Sequence, residues 1–520
     1  MSAIVTDQFR ILNASNFVNS ISDSSNSYYV FFGLPNPTQV GFGRTVSWNT
    51  NVPSPIDNFT YENHTSDTSL FGQRITVENV RRVVRRIDWV KGNRYEMYRQ
   101  DYSLNNPSPL TSSSRLYDAN YYVLNSNYSV YICISNGSTG TNPLGNTSQD
   151  EPTFTDLEPA PAGVSGDGYL WKYLFTINPS DIIKFDSTEY IPIPNNWDSS
   201  TDFQIRSVRE NGNSDINQNQ IKKVYIQNPG NNYPSGLGQE VNINGDGNGA
   251  KVVIDVVNNR ISNATVSSGG SGYTYGVVDL GAIGNNTAQA TPAKLIPIIP
   301  PSKGHGYDIY KELGADKILI YAKFDDSTKD YPIDTNFSQV GILRNPTTYN
   351  STEIYKENSF SSLHSLKINT INALPVIGEK IRQVVSNGTG VALGYVASFD
   401  TETNVLKYFR DRSLYLNQTT LDETDYVGIS SASKVYEFES TANPVIGETS
   451  GFAASIDTTF SGISLNPNGN KIINLGVSFT NGLANPDINK DSGDLIYIDN
   501  RPTISRNSRQ KEEVKIILEF

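Results

Sequence analysis

Gly166-Asp-Gly-Tyr-Leu-Trp-Lys-Tyr-Leu-Phe175 begins as a turn and continues as a strand. Glycine on either side of Asp167 supplies backbone freedom, and the aspartate side chain supplies a local acceptor. From Tyr169 onward an aromatic ring returns at every second residue, Tyr169, Trp171, Tyr173 and Phe175. That is the two-residue period of an extended chain, not the 3.6 of a helix. The four rings then share one face, and Leu170, Lys172 and Leu174 share the other. The expectation is a core strand with Trp171 and its alternate aromatics buried. The same signature recurs at Tyr28–Phe32, Tyr128–Ile132, Lys317–Phe324 and Val514–Leu518, each bounded by turn formers. Helical patterns are sparse. One runs from Asp7, as cap, to Ile21, with Phe9, Leu12, Phe17 and Ile21 at roughly helical spacing. Another, Tyr307–Leu313, stops at Gly314. The reading is a mainly β chain, a β-sandwich core with few short helices.

Composition narrows the function classes. Hydrophobic residues are 37% and charged residues 18%, both low for a globular chain, but aromatics at 11% are too many for a disordered one. The balance is Asn, Ser, Thr, 40 Gly and 30 Tyr, which favours turns and strands over helices. A net charge of −12 argues against a direct nucleic-acid surface, which needs clustered positive charge. A single cysteine, Cys133, rules out an intrachain disulfide or a CxxC pair, and its apolar neighbours Tyr131, Ile132 and Ile134 suit a buried strand thiol. The opening MSAIVTDQFR has no basic-then-apolar leader pattern. The apolar run Leu295–Ile299 is stopped by Pro300 and Pro301, so no membrane insertion is expected.

At 520 residues the chain exceeds one compact core. Two segments carry internal repeats. Ile221–Tyr233 resembles Ile261–Tyr273 at an offset of 40, each an alternating strand, a Gly-rich turn and an anchoring tyrosine. Farther on, Pro375-Val-Ile-Gly-Glu379 recurs as Pro444-Val-Ile-Gly-Glu448, each followed by a Gly-containing strand. Both read as small inserted β-modules. The expected division is therefore core residues 1–205, an insertion 206–297, core 298–348, a second insertion 349–475, and C-terminal core strands 476–520. The long polar stretches 105–114 and 135–161 read as contact-bearing loops.

Chemistry-bearing motifs are few. Of three histidines, His305 in Lys303-Gly-His-Gly-Tyr307 is the most site-like, since flanking glycines allow unusual backbone that presents an imidazole. Its plainer reading is a packed or locally bonded residue in a turn. Asp167 and Asp499 are the most conspicuous acids for paired-carboxylate hydrolysis, but an Asp between glycines is ordinarily a turn residue. No P-loop, HExxH, GxSxG or dinucleotide fingerprint occurs. No catalytic, cofactor or metal residue is assigned, and no enzyme activity is expected. Arg81-Arg-Val-Val-Arg-Arg86 is the strongest basic feature. On a strand its arginines fall on both faces, which suits bidentate pairs with carboxylates, Asp88 among them, better than a phosphate stripe.

Several segments, in order, resemble one family: the smaller β-rich baseplate wedge protein of T-even-like contractile-tailed bacteriophages. They are Ala3-Ile-Val-Thr-Asp-Gln-Phe-Arg10, similar to that family's opening strand, and Phe31-Phe-Gly33. Arg85-Arg-Ile-Asp-Trp89 resembles its Arg-Arg-Asp-Trp with one residue inserted, and Tyr131-Ile-Cys133 its Tyr-Arg-Cys without the arginine. Gly166–Phe175 is similar to Gly-Asp-Gly-Tyr-Val-Trp-Glu-Tyr-Leu-Phe, and Glu189-Tyr-Ile191, Ser492–Pro502 and Glu512–Phe520 follow. The matches cover roughly 1–200, 310–347 and 485–520, and the insertions look like modules of T-even-like phages of cyanobacteria. The resemblance implies a structural subunit of a virion tail baseplate, assembled in the host cytoplasm. It implies a homodimer that binds other wedge proteins and takes part in baseplate rearrangement during contractile-tail DNA ejection. The alternative from another class is a receptor- or carbohydrate-binding tail protein, with the insertions as recognition modules.

Overall fold

The structure, a computed structural model, describes residues 5–34, 52–211, 220–284, 291–324, 331, 336–385, 390–410, 435–466, 471–507 and 510–520. The chain is mainly β and divides into two compact units. The first comprises Met1–Phe17, Arg81–Leu319 and Ile516–Phe520; the second comprises Val18–Val80 and Ile320–Lys515.

At the centre of the first unit, Tyr122–Leu124, Ser129–Asn136 and Tyr169–Thr176 form an antiparallel sheet in that order. Every residue of Ser129–Asn136 is buried, so this sheet is covered on both faces. Tyr169, Trp171, Tyr173 and Phe175 are buried as the alternation requires. Tyr169 stacks on Trp171 at 5.3 Å between centroids, and Tyr95 meets Trp171 edge-on at 5.8 Å. The opposite face is buried too. Leu174 is enclosed, and Lys172, an unexpected core residue, donates from Nζ to the Leu157 carbonyl at 2.5 Å. Burial lowers the Lys172 pKa. Cys133, opposite Trp171 in the sheet, is the buried strand thiol anticipated, its pKa pushed well up by burial.

The first repeat-bearing segment has its own core. Arg260–Ser271, Asn248–Val257, Gly236–Gly245 and Gly276–Val278 form an antiparallel four-stranded sheet in that order. Beside it Val224–Asn228 pairs with Lys294–Pro297. Val241, Ile243, Val252, Ile254 and Ile261 fill the space between. The 40-residue repeat is also a repeat of backbone geometry. Gly230 and Gly270 have φ of 64° and 58°, and Asn232 and Gly272 have φ of 62° and 75°. The tyrosine that follows is buried in each copy, Tyr233 and Tyr273. Each hydroxyl accepts a backbone N–H, from Ala293 at 3.0 Å and from Ala250 at 3.2 Å. The glycine is obligatory: a Cβ on Gly270 would stand 2.4 Å from the Asn248 carbonyl oxygen.

This segment is tied to the central sheet. The loop after Asn136 approaches so closely that a Cβ on Gly140 would lie 2.2 Å from the Ile261 oxygen, and Gly140 N donates to the Ser262 carbonyl at 3.0 Å. Arg99, almost wholly buried, pairs with Asp101 at 2.9 Å and stacks on Tyr225 at 4.1 Å. The 205/206 boundary read from the sequence falls inside a helix, Phe203–Asn211, whose Val208 belongs to the central cluster.

In the second unit Ser359–Ser361, Ser69–Ile75, Tyr28–Gly33, Asn336–Arg344 and Asp494–Ser505 form a five-stranded antiparallel sheet in that order. Phe32 lies among Phe324, Phe337 and Tyr331, with centroids 4.3, 4.4 and 5.9 Å away. A larger sheet runs Ala453–Ala454, Val445–Gly447, Lys380–Val385, Gly390–Asp400, Val405–Phe409, His364–Lys367, Leu483–Ala484. Here the second repeat acquires a mechanical meaning. The strand after the first copy pairs with the second copy, Ile381 opposite Gly447 and Gln383 opposite Val445. Glu379, closing the first copy, accepts from Val376 N at 2.7 Å, Ser450 Oγ at 2.6 Å, and Thr449 N and Ser450 N at 3.1 and 3.0 Å. One carboxylate thus latches both copies together.

The N-terminal helix, Asp7–Ser22, corrects two expectations. Residues 7–10 are helical rather than part of an opening strand, and residues 3 and 4 lie outside the described residues. The cap is Thr6, whose hydroxyl accepts from Phe9 N at 3.3 Å, not Asp7. Its buried stripe is Ile11, Ala14, Val18 and Ile21, whereas Phe9 and Leu12 are both 53% exposed. The short helix Ile309–Leu313 forms as expected, ending in left-handed Gly314 at φ 70°.

Candidate functional site

The sequence singled out His305, Asp167 and Asp499, and the structure gives each a local partner. His305 is buried, its Nδ1 2.5 Å from Glu312 Oε1 and its ring edge-on to Tyr98 at 4.8 Å. Glu312, itself buried, also accepts from Gly306 N at 2.7 Å. Gly304 and Gly306 do take positive φ, but they turn the imidazole inward, onto the short helix. Asp167 is a turn residue: its carboxylate accepts from Gln149 N at 2.8 Å and Tyr169 N at 3.0 Å. Asp499 lies in the other unit, bonded to Arg501 Nε at 2.5 Å. Among the described residues no group of three or more His, Cys, Asp or Glu is placed to hold a metal ion.

The arginine run builds the most conspicuous surface feature. Val80–Arg85 is a strand, antiparallel to Tyr190–Ile193. Arg81 pairs with Asp181 at 3.0 Å. Arg82 is buried with its guanidinium over the Tyr310 ring at 4.0 Å, and loss of solvent lowers its pKa. Arg86 pairs with Asp88 at 2.9 Å and Asp186 at 2.7 Å; these carboxylates, Asp88 first, raise its pKa. Arg85 differs. Its Nη2 donates to the Asp118 and Ala119 carbonyls at 3.2 and 3.1 Å and to Asn120 Oδ1 at 2.9 Å, all uncharged oxygens.

Arg85 and Arg86 line an open cleft of about 490 Å³ within the first unit, together with Arg10, Arg115 and Lys317. Tyr117, Tyr122 and Tyr190 add aromatic wall. Arg115 pairs with Asp7 and Asp118, and Lys317 with Asp316 at 3.1 Å and Glu519 at 2.9 Å. The Lys317 ammonium holds the Glu519 carboxyl below its usual range. Burial pushes the Tyr117 hydroxyl up to about 12. Among the described residues Arg10 makes no hydrogen bond or ion pair through its guanidinium and its buried Nε is unsatisfied, although its charge helps hold the Glu519 carboxyl low. Only Arg85 and Arg86 were conspicuous in the sequence. The other cations are scattered singly along the chain, with no local signal marking their convergence.

A second cleft, about 520 Å³, lies in the second unit between Tyr408, Phe438, Glu437 and Asp487. Tyr408 and Phe438 are buried, so among the described residues its lining offers no exposed aromatic platform of the kind a sugar stacks on.

No family model matches the chain. Over 217 residues it is 26% identical to baseplate wedge protein gp8 of Enterobacteria phage T4, a stretch covering 37% of this chain. That stretch spans 60% of the relative's length, less than two thirds of it. A β-rich chain whose singled-out histidine, acids and cysteine all serve local packing is thus similar, over part of its length, to a structural protein of a phage baseplate, and its character is at most baseplate wedge-like.

Proposed function

We propose that this chain is a structural subunit of a phage tail baseplate wedge. In this reading it forms a homodimer, binds neighbouring wedge proteins, and shifts with them when the tail contracts and DNA is ejected. The single observation that carries the proposal is the partial identity to a baseplate wedge protein. The chemistry agrees with it: His305, Asp167 and Cys133 are occupied with packing and local bonds. The insertion-bearing form belongs, in this proposal, to virions of the type that infects cyanobacteria, put together in the host cytoplasm. No catalytic role is assigned.

Light scattering on the purified chain at micromolar concentration tests the dimer. A two-fold species is expected, because closed two-fold association through one self-complementary patch is the commonest homo-oligomer. A monomer or trimer overturns the dimer. Tracing the chain by cryo-EM in intact particles tests the wedge assignment directly: density for it away from the baseplate overturns the reading.

A further inference from the structure

We propose that the cleft lined by Arg10, Arg85 and Glu189 is a docking socket for an acidic segment of a partner protein. The proposal goes beyond the wedge reading and does not need it, since it rests on the cleft's own charges.

The chain carries 53 acidic and 41 basic residues, so a cation here has more carboxylates to choose from than it can use. Arg81, Arg86, Arg115 and Lys317 each have one. Among the described residues Arg10 and Arg85 form no ion pair with a carboxylate, Arg10 acting on Glu519 only through its field, and both line the same 490 Å³ cleft. Leaving the Arg10 Nε buried and unbonded costs stability, as any desolvated donor does without an acceptor. An occupant that brings a carboxylate removes that cost, and a planar guanidinium takes a carboxylate through two parallel hydrogen bonds. Arg85 still has donors available beyond the Nη2 it uses on uncharged oxygens.

The other charges in the cleft decide between acidic occupants. Asp118, Glu189, Asp316 and Glu519 share its lining. A phosphate backbone, negative at every step, is repelled by that fringe. A peptide fits it, placing carboxylates at the two arginines and neutral or basic residues beside the acids. The walls of Tyr117, Tyr122 and Tyr190 are of a residue type enriched among the strongest contributors at protein interfaces.

The test uses the full-length chain and a fluorescent, end-capped peptide of alternating Glu and Gly, followed by anisotropy. Controls are the Gln–Gly peptide, the Lys–Gly peptide and inorganic polyphosphate. Because the chain is net negative, non-specific attraction favours the Lys peptide, so saturable binding of the Glu peptide identifies a local site. Arg10→Gln removes no bond seen in the fold and relieves the unbonded Nε, so it is expected to keep or raise the melting temperature while weakening the Glu peptide about tenfold, one charged hydrogen-bond pair. Arg85→Gln is expected to weaken it similarly, with melting curves monitoring the bonds it loses. Three results overturn the proposal: no saturable binding of the Glu peptide, equal binding by Arg10→Gln, or polyphosphate binding more tightly than the peptide with the same dependence on Arg10.

Discussion

Trp171 shows what a single side chain contributes to this fold. It is fully enclosed, stacked on Tyr169 and met edge-on by Tyr95, and its Nε1 finds no acceptor among the described residues. Its contribution is therefore packing alone. Trp171→Ala is expected to destabilise by about 3–5 kcal/mol, read as a shift in the denaturant midpoint, with most of the protein insoluble. Normal folding with a specific loss of assembly would place the residue at an interface. The aromatic period made this burial legible in the sequence. The burial of Lys172 was not, because a period of two assigns faces but cannot say whether both are covered. Leu157, whose carbonyl receives the Lys172 ammonium, comes from a loop with no periodic signal.

Glu379 was equally illegible, visible only as the last letter of a repeated pentapeptide. Burial alone would raise its pKa, but the donors of Ser450, Val376 and Thr449 outweigh it and hold the carboxyl below its ordinary 4.5. A carboxylate with a depressed folded pKa contributes stability that is full above the unfolded value and is lost as pH falls through the folded one. Glu379→Gln turns an amide donor toward backbone N–H groups and is expected to cost about 1–3 kcal/mol at neutral pH. The gap to the parent protein should then shrink as the pH drops below 4.5. A gap that stays constant down to acid would show that the charge is not what latches the two copies.

At the scale of elements, strands and repeats were readable and helices largely were not. The 40-residue repeat was visible because its glycines and tyrosine are demanded by backbone conformation, which leaves a mark on sequence. Gly270→Ala forces a Cβ into left-handed backbone and against the Asn248 oxygen. The expected loss is at least about 1–2 kcal/mol, the left-handed penalty alone, measured by thermal melting. A neutral outcome would mean that this turn relaxes freely. Of the helices, Pro179–Phe185 had a legible start, Asn178 capping ahead of Pro179, yet is only seven residues long. Phe59–Asp67 and Phe203–Asn211 begin at Asn58 and Asp202, acceptors lost among many others in a chain so rich in Asn, Asp and Ser. In Asp7–Ser22 the rings misled: Phe9 and Leu12 suggested a stripe that the fold assigns to Ile11, Ala14 and Val18.

Over the whole molecule, the β class followed from composition and periodicity, but which strands pair did not. Tyr28–Gly33 lies between Ser69–Ile75 and Asn336–Arg344, and the latter continues to Asp494–Ser505. The last two pairings join residues more than a hundred positions apart, and no local pattern encodes them. The cleft around Arg10 and Arg85 was hidden for the same reason, since Arg10, Lys317 and Glu519 meet only once the fold is made.

The path of the chain through its units carries a kinetic consequence. The first unit takes residues from both extremes: Phe520 rests against Phe17 at 5.8 Å, and Glu519 reaches back to Lys317. A ribosome delivers residues 81–319 long before it delivers 516–520, and only after the second unit's last segment has emerged. The segment 81–319 therefore waits, nearly complete but unsealed, until residues 516–520 emerge. A nascent chain interrupted before residue 512 carries the sheet of Tyr122–Leu124, Ser129–Asn136 and Tyr169–Thr176 yet lacks the strand Glu512–Glu519. Synthesis halted there leaves Lys317 without Glu519 and Phe17 without Phe520, an unsealed face exposed to wrong partners.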